Sequence, residues 1–192
     1  MITNTPCVIF AGGRSSRMQE DKALLPFGEF KTLTEFQLNK LSKIFSNVYI
    51  SCKTKQKFDF QANFIEDVKT QNVYAPTAGF VAVFETLQCE SFFALSVDAP
   101  FVNESIIKRL IDADNPILDA TVAKTPFGIQ PMCGIYHQSL KSSFLQMLEQ
   151  DNHKLGFLLK NTQTKIIEFQ DDTPFLNLNK PQDYQQALNA LH

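Results

Sequence analysis

Several things are scarce or missing in this sequence, and each absence narrows the reading. No apolar run approaches the ~20 residues that a membrane-spanning helix needs. The stretch Met1 to Phe10 has neither the basic start nor the long apolar segment of a secretory signal. Neither charge sign dominates: 18 Lys and Arg face 20 Asp and Glu, for a net charge of -2. Such a surface has no general basic field to gather a nucleic-acid backbone. The four cysteines, Cys7, Cys52, Cys89 and Cys133, are widely spaced with no C-x-x-C pair, which argues against a zinc ribbon or a dense disulfide framework and makes them candidate buried apolar residues. His137, His153 and His192 show no metal-ligand spacing and read as surface or packing residues. A soluble protein in a reducing cytoplasm is the expected setting, without a nucleic-acid polymer or a membrane as partner. Glycine is also scarce, with seven in all, yet Gly12 and Gly13 are adjacent. Each glycine raises the entropy cost of ordering the backbone, so the pair needs a reason.

What is present is core-forming material: 44% hydrophobic residues, including 18 Phe, in a chain with 20% charged residues. The 192 residues fit one domain spanning 1–192, with no repeat, low-complexity tract or linker to divide it. Short β-branched and aromatic runs alternate with stretches of helical spacing. Strands are expected at 6–10, 47–52, 63–67, 91–97, 120–123, 132–136 and 165–169. Helices are expected near 32–45, 77–87, 106–111, 139–149, 153–159 and 181–191, with Asn103 as a cap and Pro181 in a first turn. This alternation predicts an α/β fold on a mostly parallel sheet. Ligands of such sheets bind beyond the carboxyl ends of the strands, near the point where strand order reverses.

The segment after the first strand runs from Phe10-Ala11-Gly12-Gly13-Arg14 through Arg17-Met18-Gln19-Glu20-Asp21-Lys22. It is neither a P-loop nor a dinucleotide fingerprint. Two residues without Cβ let main-chain N–H groups approach an anion, and Arg14, Arg17 and Lys22 place three cations in one loop. The alternative is an ordinary Gly-Gly turn followed by a solvated, mixed-charge loop.

This run resembles the L-x-G-G-x-S-x-R-M-G-x-D-K motif of sugar-nucleotide-type nucleotidyltransferases, above all the molybdenum cofactor guanylyltransferase family. Further segments match in order: Ile65-Glu66-Asp67; Ala75-Pro76-Thr77-Ala78-Gly79, similar to G-P-L-A-G; Leu95-Ser96-Val97-Asp98-Ala99-Pro100-Phe101, similar to C-D-x-P-[FY]; and Asn177-Leu178-Asn179-Lys180-Pro181-Gln182-Asp183, similar to N-[VIL]-N-T-P-E-[DE]. The departures are Gln19 for the family's glycine, Ala75 and Thr77 in the segment similar to G-P-L-A-G, Val97 for a common cysteine, and Ser51 where relatives often carry Asn.

The resemblance implies a three-layer Rossmann-like nucleotidyltransferase fold and a Mg2+-dependent reaction. In the family, GTP loses pyrophosphate as GMP joins the terminal phosphate of molybdopterin. Proteins that supply or receive the cofactor are the implied transient partners. Gly12 and Gly13 would form the main-chain cradle, with Phe10, Ala11 and Gly12 presenting backbone groups to the guanine edge. Arg17 would neutralise the leaving phosphates and Lys22 the α-phosphate region. Asp98, a hard oxygen ligand at a strand end, is the metal candidate. Asp67 and Ser51 would sit near the ribose or base. Asn177 and Asn179, on one side of an extended segment with Leu178 between them, would help bind the pterin or the metal region, and the Gln130-Pro131 pair would lie near the pterin. Arg14 occupies a position the motif leaves free. Two other readings remain: a related transferase using CTP or another phosphorylated acceptor, and a catalytically silent GTP-binding module.

Overall fold

Period-two alternation decides which side of the sheet each core residue fills. In strand β1 (Cys7–Phe10), every residue is buried. Cys7 and Ile9 join one apolar cluster, while Val8 and Phe10 join the other. The same split recurs in β4 (Ser91–Ser96), where Phe93 and Leu95 face one way and Phe92 and Ala94 the other. A strand buried on both faces reads as a continuous apolar run, as Phe92 to Leu95 does.

The computed structural model describes residues 3–13, 18, 20–67 and 76–191. Within them, β1 pairs in parallel with β2 (Val48–Cys52) on one side and with β4 on the other. Strand β3 (Asn63–Glu66) extends the sheet beyond β2. Strands β5 (Ala120–Thr125), β6 (Gly128–His137) and β7 (Thr164–Glu168) complete a seven-stranded sheet of order β3-β2-β1-β4-β6-β5-β7. The sheet is parallel except for β6, which runs antiparallel to both of its neighbours. Strand β6 begins at Gly128, earlier than the apolar run 132–136 predicts, because pairing with β5 continues past a register shift at Val122/Ala123. Gln130 and Pro131 therefore belong to a strand. Gly134 is required by close approach: a Cβ there would lie 2.4 Å from Thr121 O.

One face is covered by α1 (Leu33–Leu41), α3 (Glu104–Ala113) and α6 (Pro181–Asn189), which bring Leu33, Leu41, Ile106, Leu110 and Ala187 into the first cluster. The other is covered by α2 (Pro76–Leu87), α4 (Lys141–Glu149) and α5 (Leu155–Lys160), with Phe80, Phe84, Phe144 and Leu158 in the second. Helix starts follow the capping rule: Thr32 Oγ1 accepts from Glu35 N at 3.1 Å, and Asn103 Oδ1 from Ile106 N at 3.1 Å. The four cysteines are free thiols, three of them buried. No described helix is long and apolar enough to cross a membrane. Of the histidines, His137 is buried against Asp114 and His153 bonds Thr77 and Asp151; His192 lies outside the described residues.

From β1 the chain moves first to β2 and β3 on one side and then returns to β4 on the other. The strand order thus reverses between β1 and β4, and the crevice beyond their carboxyl ends is where such a sheet takes a ligand.

Candidate active site

Three segments far apart in sequence meet beyond the ends of β1 and β4. Asp98 follows β4, and its two carboxylate oxygens are held from different directions. Ser96 Oγ donates to Asp98 Oδ1 at 2.5 Å, and Lys22 Nζ donates to Asp98 Oδ2 at 2.9 Å. Lys22 opens a short 3-10 turn, Lys22–Leu24, capped by Asp21, whose Oδ1 accepts from Ala23 N at 3.0 Å. The same ammonium lies 2.9 Å from Asn179 Oδ1. The segment carrying Asn177 and Asn179 is docked to the Asp98 turn itself, because Leu178 N donates to Asp98 O at 2.9 Å while the Leu178 side chain enters the core. Asp183 fixes the exit of that segment by accepting from Asn179 N and Lys180 N at 3.0 and 2.8 Å.

Helix α1 supports the Asp98 turn from below. Buried Gln37 donates through Nε2 to Val97 O at 3.2 Å and Ala99 O at 3.1 Å. One turn on, Lys40 Nζ donates to Pro100 O at 2.7 Å and Val102 O at 3.0 Å. Burial pulls the Lys40 pKa down to about 8, against weaker opposing effects of the Cys7 and Cys133 thiols.

Beside the Asp98 turn, Phe10, Gly12, Gly13, Ser51, Asp67 and Gly79 surround a cavity of about 80 Å3. Ser51 Oγ donates to Asp67 Oδ1 at 3.0 Å. Burial raises the Asp67 pKa above the usual carboxylate value, and the Ser51 hydrogen bond opposes that rise. Two glycines keep the cavity open: a Cβ on Gly12 would lie 2.9 Å from Asp67 Oδ2, and one on Gly79 would lie 2.8 Å from Ser51 Oγ and 3.0 Å from the Phe10 ring. A Cβ on Gly13 would meet nothing within 4 Å among the described residues, so no protein contact demands a glycine there.

Ser96 and Met132 also line a second cavity of about 190 Å3 around Asp98, together with Pro131. That cavity shares Gln130, Phe175 and Asn177 with a third, of about 450 Å3, whose lining includes Phe101, Phe127, Leu178 and Asn179. The three form one groove along the strand ends, with Asp98 in its middle section and an aromatic, largely apolar compartment at one end.

The structure therefore brings together Lys22, Asp98 and Asn179, gathers Phe10, Gly12, Gly13, Ser51 and Asp67 around one cavity, and places Gln130, Pro131, Asn177 and Asn179 in the adjoining part of the groove. Arg14, Arg17, Gln19 and Ala75 lie outside the described residues. The main-chain groups of Phe10 and Ala11, expected at the base edge, are engaged within the protein: Phe10 O accepts from Val97 N, Ala11 N donates to Ser51 O, and Ala11 O accepts from Lys57 Nζ. What Phe10 contributes to the cavity is its ring, stacked 4.7 Å from that of Phe80. Sequence reasoning missed Ser96, Met132 and Gln37. Gln37 carried a signal: it sits four residues from both Leu33 and Leu41, a polar side chain in the buried stripe of α1.

Among the described residues no group of three or more His, Cys, Asp and Glu is arranged to hold a metal ion. The donor set nevertheless suits Mg2+, which keeps waters and substrate phosphates and needs only one or two carboxylates from a protein. Asp98 Oδ2 and Asn179 Oδ1 are hard oxygens that already share one cation, the Lys22 ammonium.

Comparison with known proteins agrees with this geometry. Residues 7–166 match the MobA-like NTP transferase domain. Over 185 residues the chain is 39% identical to the molybdenum cofactor guanylyltransferase of Campylobacter jejuni subsp. doylei, covering 96% of each chain. It is 34% identical over 196 residues to the enzyme of that name from Helicobacter pylori, covering 100% of this chain and 95% of that one. Molybdopterin-guanine dinucleotide biosynthesis protein A from Archaeoglobus fulgidus has the same fold, with TM-score 0.82 at 20% identity over 97% of this chain and 98% of that one. With its motifs converging on one groove and most of its length inside the matched domain, this chain belongs to the MobA-like NTP transferase family.

Proposed function

We propose that this protein transfers GMP from GTP to molybdopterin, forming the guanine dinucleotide cofactor and releasing pyrophosphate. The observation that carries the reading is the Lys22, Asp98 and Asn179 cluster, set in the groove between a small cleft and an aromatic compartment. In the reaction a terminal phosphate oxygen of molybdopterin attacks the α-phosphorus of GTP. A new P–O bond forms as the bond from the α-phosphorus to the bridging oxygen breaks, and that oxygen leaves with pyrophosphate. Such a transfer asks the protein for positioning and charge neutralisation rather than covalent chemistry.

The roles divide along the groove. Asp67, Ser51 and the Phe10 ring line the nucleoside end, with Gly12 and Gly13 leaving room for close approach of the phosphates. Lys22 neutralises charge at the α-phosphate, and Arg17 takes the leaving phosphates. Asp98 and Asn179 would hold Mg2+, which supplies charge neutralisation to the phosphate oxygens. The compartment lined by Phe101, Phe127 and Phe175, with Gln130 and Asn177 at its junction with the Asp98 cavity, suits a flat heterocycle that needs both apolar surface and a few hydrogen bonds.

The test is to incubate the protein with Mg2+, molybdopterin and each of the four nucleoside triphosphates. GTP is expected to yield pyrophosphate and the dinucleotide. Preference for CTP would replace guanylyl by cytidylyl transfer, and binding of GTP without pyrophosphate release would mark a silent module.

A further inference from the structure

Lys57 lies outside every motif described above. It ends a short 3-10 turn, Lys55–Lys57, in the connection between β2 and β3. Its side chain nevertheless reaches the chain on both sides of the Gly12-Gly13 motif. Lys57 Nζ donates to Ala11 O at 3.0 Å and to Asp21 Oδ2 at 2.7 Å, and lies 4.9 Å from the centre of the Phe58 ring. The Lys57 side chain is only 18% exposed, against 35% for Asp21, so the pair is largely shielded from water. Charge-assisted hydrogen bonds in such a setting are roughly twice as strong as neutral ones.

The two acceptors occupy particular places. Ala11 O belongs to the residue immediately before Gly12. Asp21 is the residue immediately before Lys22, and its other oxygen, Oδ1, caps the turn that presents Lys22. A line of contacts therefore runs from Lys57 to Asp21, through the capped turn to Lys22, and from there to Asp98 and Asn179.

We propose that Lys57 is a positioning residue for the nucleotide site: it joins the main chain entering the Gly-Gly motif to the carboxylate that orients Lys22, and thereby presets the site for triphosphate. It acts through Ala11 and Asp21 rather than on the reacting atoms. The proposal rests on reading the segment after β1 as the nucleotide cradle.

The test compares wild type with Lys57→Met, Lys57→Arg, Asp21→Asn and the double variant, using a fluorescent N-methylanthraniloyl GTP as binding probe, steady-state kinetics and thermal melting. Asp21→Asn keeps an oxygen that caps the turn and replaces the charged acceptor of Lys57 with an NH2 group. Lys57→Met is expected to weaken probe binding and raise KM for GTP about tenfold, equivalent to ~1.4 kcal/mol. The expected change in kcat is under about threefold, with a melting midpoint within ~4 °C of wild type, the shift expected of about 1 kcal/mol in a chain of this size. Lys57→Arg should recover most of the affinity. Asp21→Asn should reproduce the loss, and the double variant should bind no worse than either single one, because both remove one interaction.

Unchanged probe binding in Lys57→Met would overturn the proposal. So would single-variant effects that add in full in the double variant. Should Lys57→Met fail to fold, Asp21→Asn decides alone: an unchanged KM for GTP then overturns the proposal. Failure of wild type to bind the probe would instead overturn the nucleotide reading itself.

Discussion

Lys22 Nζ lies 2.9 Å from Asp98 Oδ2, joining the segment after β1 to the turn after β4. Neither side chain is more than 17% exposed, so the pair is shielded from solvent, while Asp98 also lines the groove. Under the proposed function, removing either partner takes one sign of charge from the place where phosphate charge is to be balanced. Lys22→Ala and Asp98→Ala are each expected to lower the transfer rate at least ~10²-fold, the scale of losing one preorganised electrostatic contact. Far-UV circular dichroism should remain that of wild type. The double variant should be little worse than either single one, since the two act as a unit. Near-wild-type turnover by either single variant contradicts the assignment.

Some of the glycines are required by the fold and others, Gly13 among them, are not. At Gly134 a Cβ would press on backbone at 2.4 Å, so Gly134→Ala is expected to cost ~1–3 kcal/mol or more of stability through overpacking. Gly79→Ala pushes into Ser51 Oγ and the Phe10 ring, at the wall of the small cavity, and should raise KM for GTP. Gly13→Ala meets open space among the described residues and should melt as wild type does. If the position serves phosphate approach, Gly13→Ala loses GTP affinity with its stability intact. Calorimetric titration with GTP alongside thermal melting distinguishes these outcomes.

Gln37 carries the underside of the Asp98 turn. Gln37→Leu keeps much of the volume but leaves Val97 O and Ala99 O without that donor. An unsatisfied buried acceptor costs ~1–3 kcal/mol. Gln37 Oε1 is itself buried with no hydrogen-bond partner among the described residues, and its removal offsets part of the loss. A melting midpoint lowered by several degrees, with a fall in transfer rate, is the expected result. An unchanged midpoint means the turn does not depend on this amide.

Alkaline stability depends in part on three interacting groups, Cys7, Lys40 and Cys133. Burial pushes the Cys7 thiol up, and the Cys133 thiol up to about 12 from an ordinary 9.0. It pulls Lys40 down to about 8 from 10.5. Between pH 8 and 9 the unfolded chain holds a proton on Lys40 that the native protein releases, so this lysine makes stability rise with pH. Above pH 9 the unfolded chain loses thiol protons that the native protein keeps, and each thiol makes stability fall. Each proton of difference contributes ~1.4 kcal/mol per pH unit. Cys133→Ala should therefore flatten the decline between pH 9 and 10.5 by about that slope, and Lys40→Met should steepen it by the same amount. Urea titrations across this range measure both; slopes equal to wild type contradict the burial account.

Much of this could be read in the chain because local chemistry and global fold agree. Asn103 caps its helix as expected, and Asp98 follows a strand with a continuous apolar run. Lys22, Asp98 and Asn179, drawn from three separate motifs, come together in the fold. The direction of β6 was not legible, since side-chain alternation is the same in parallel and antiparallel strands. Nor was the service of Lys57 to Ala11 and Asp21, which depends on where the turn after β2 comes to rest. Ser96 stood in plain view two residues before Asp98, yet only the folded turn sets its hydroxyl on the carboxylate.

The most direct measurement is product formation by the purified wild-type protein with Mg2+, GTP and molybdopterin, following pyrophosphate and guanine dinucleotide together. Equal amounts of the two are expected, dependent on both substrates and lost in Lys22→Ala. Pyrophosphate without dinucleotide, or GTP bound and returned unchanged, contradicts the proposed function.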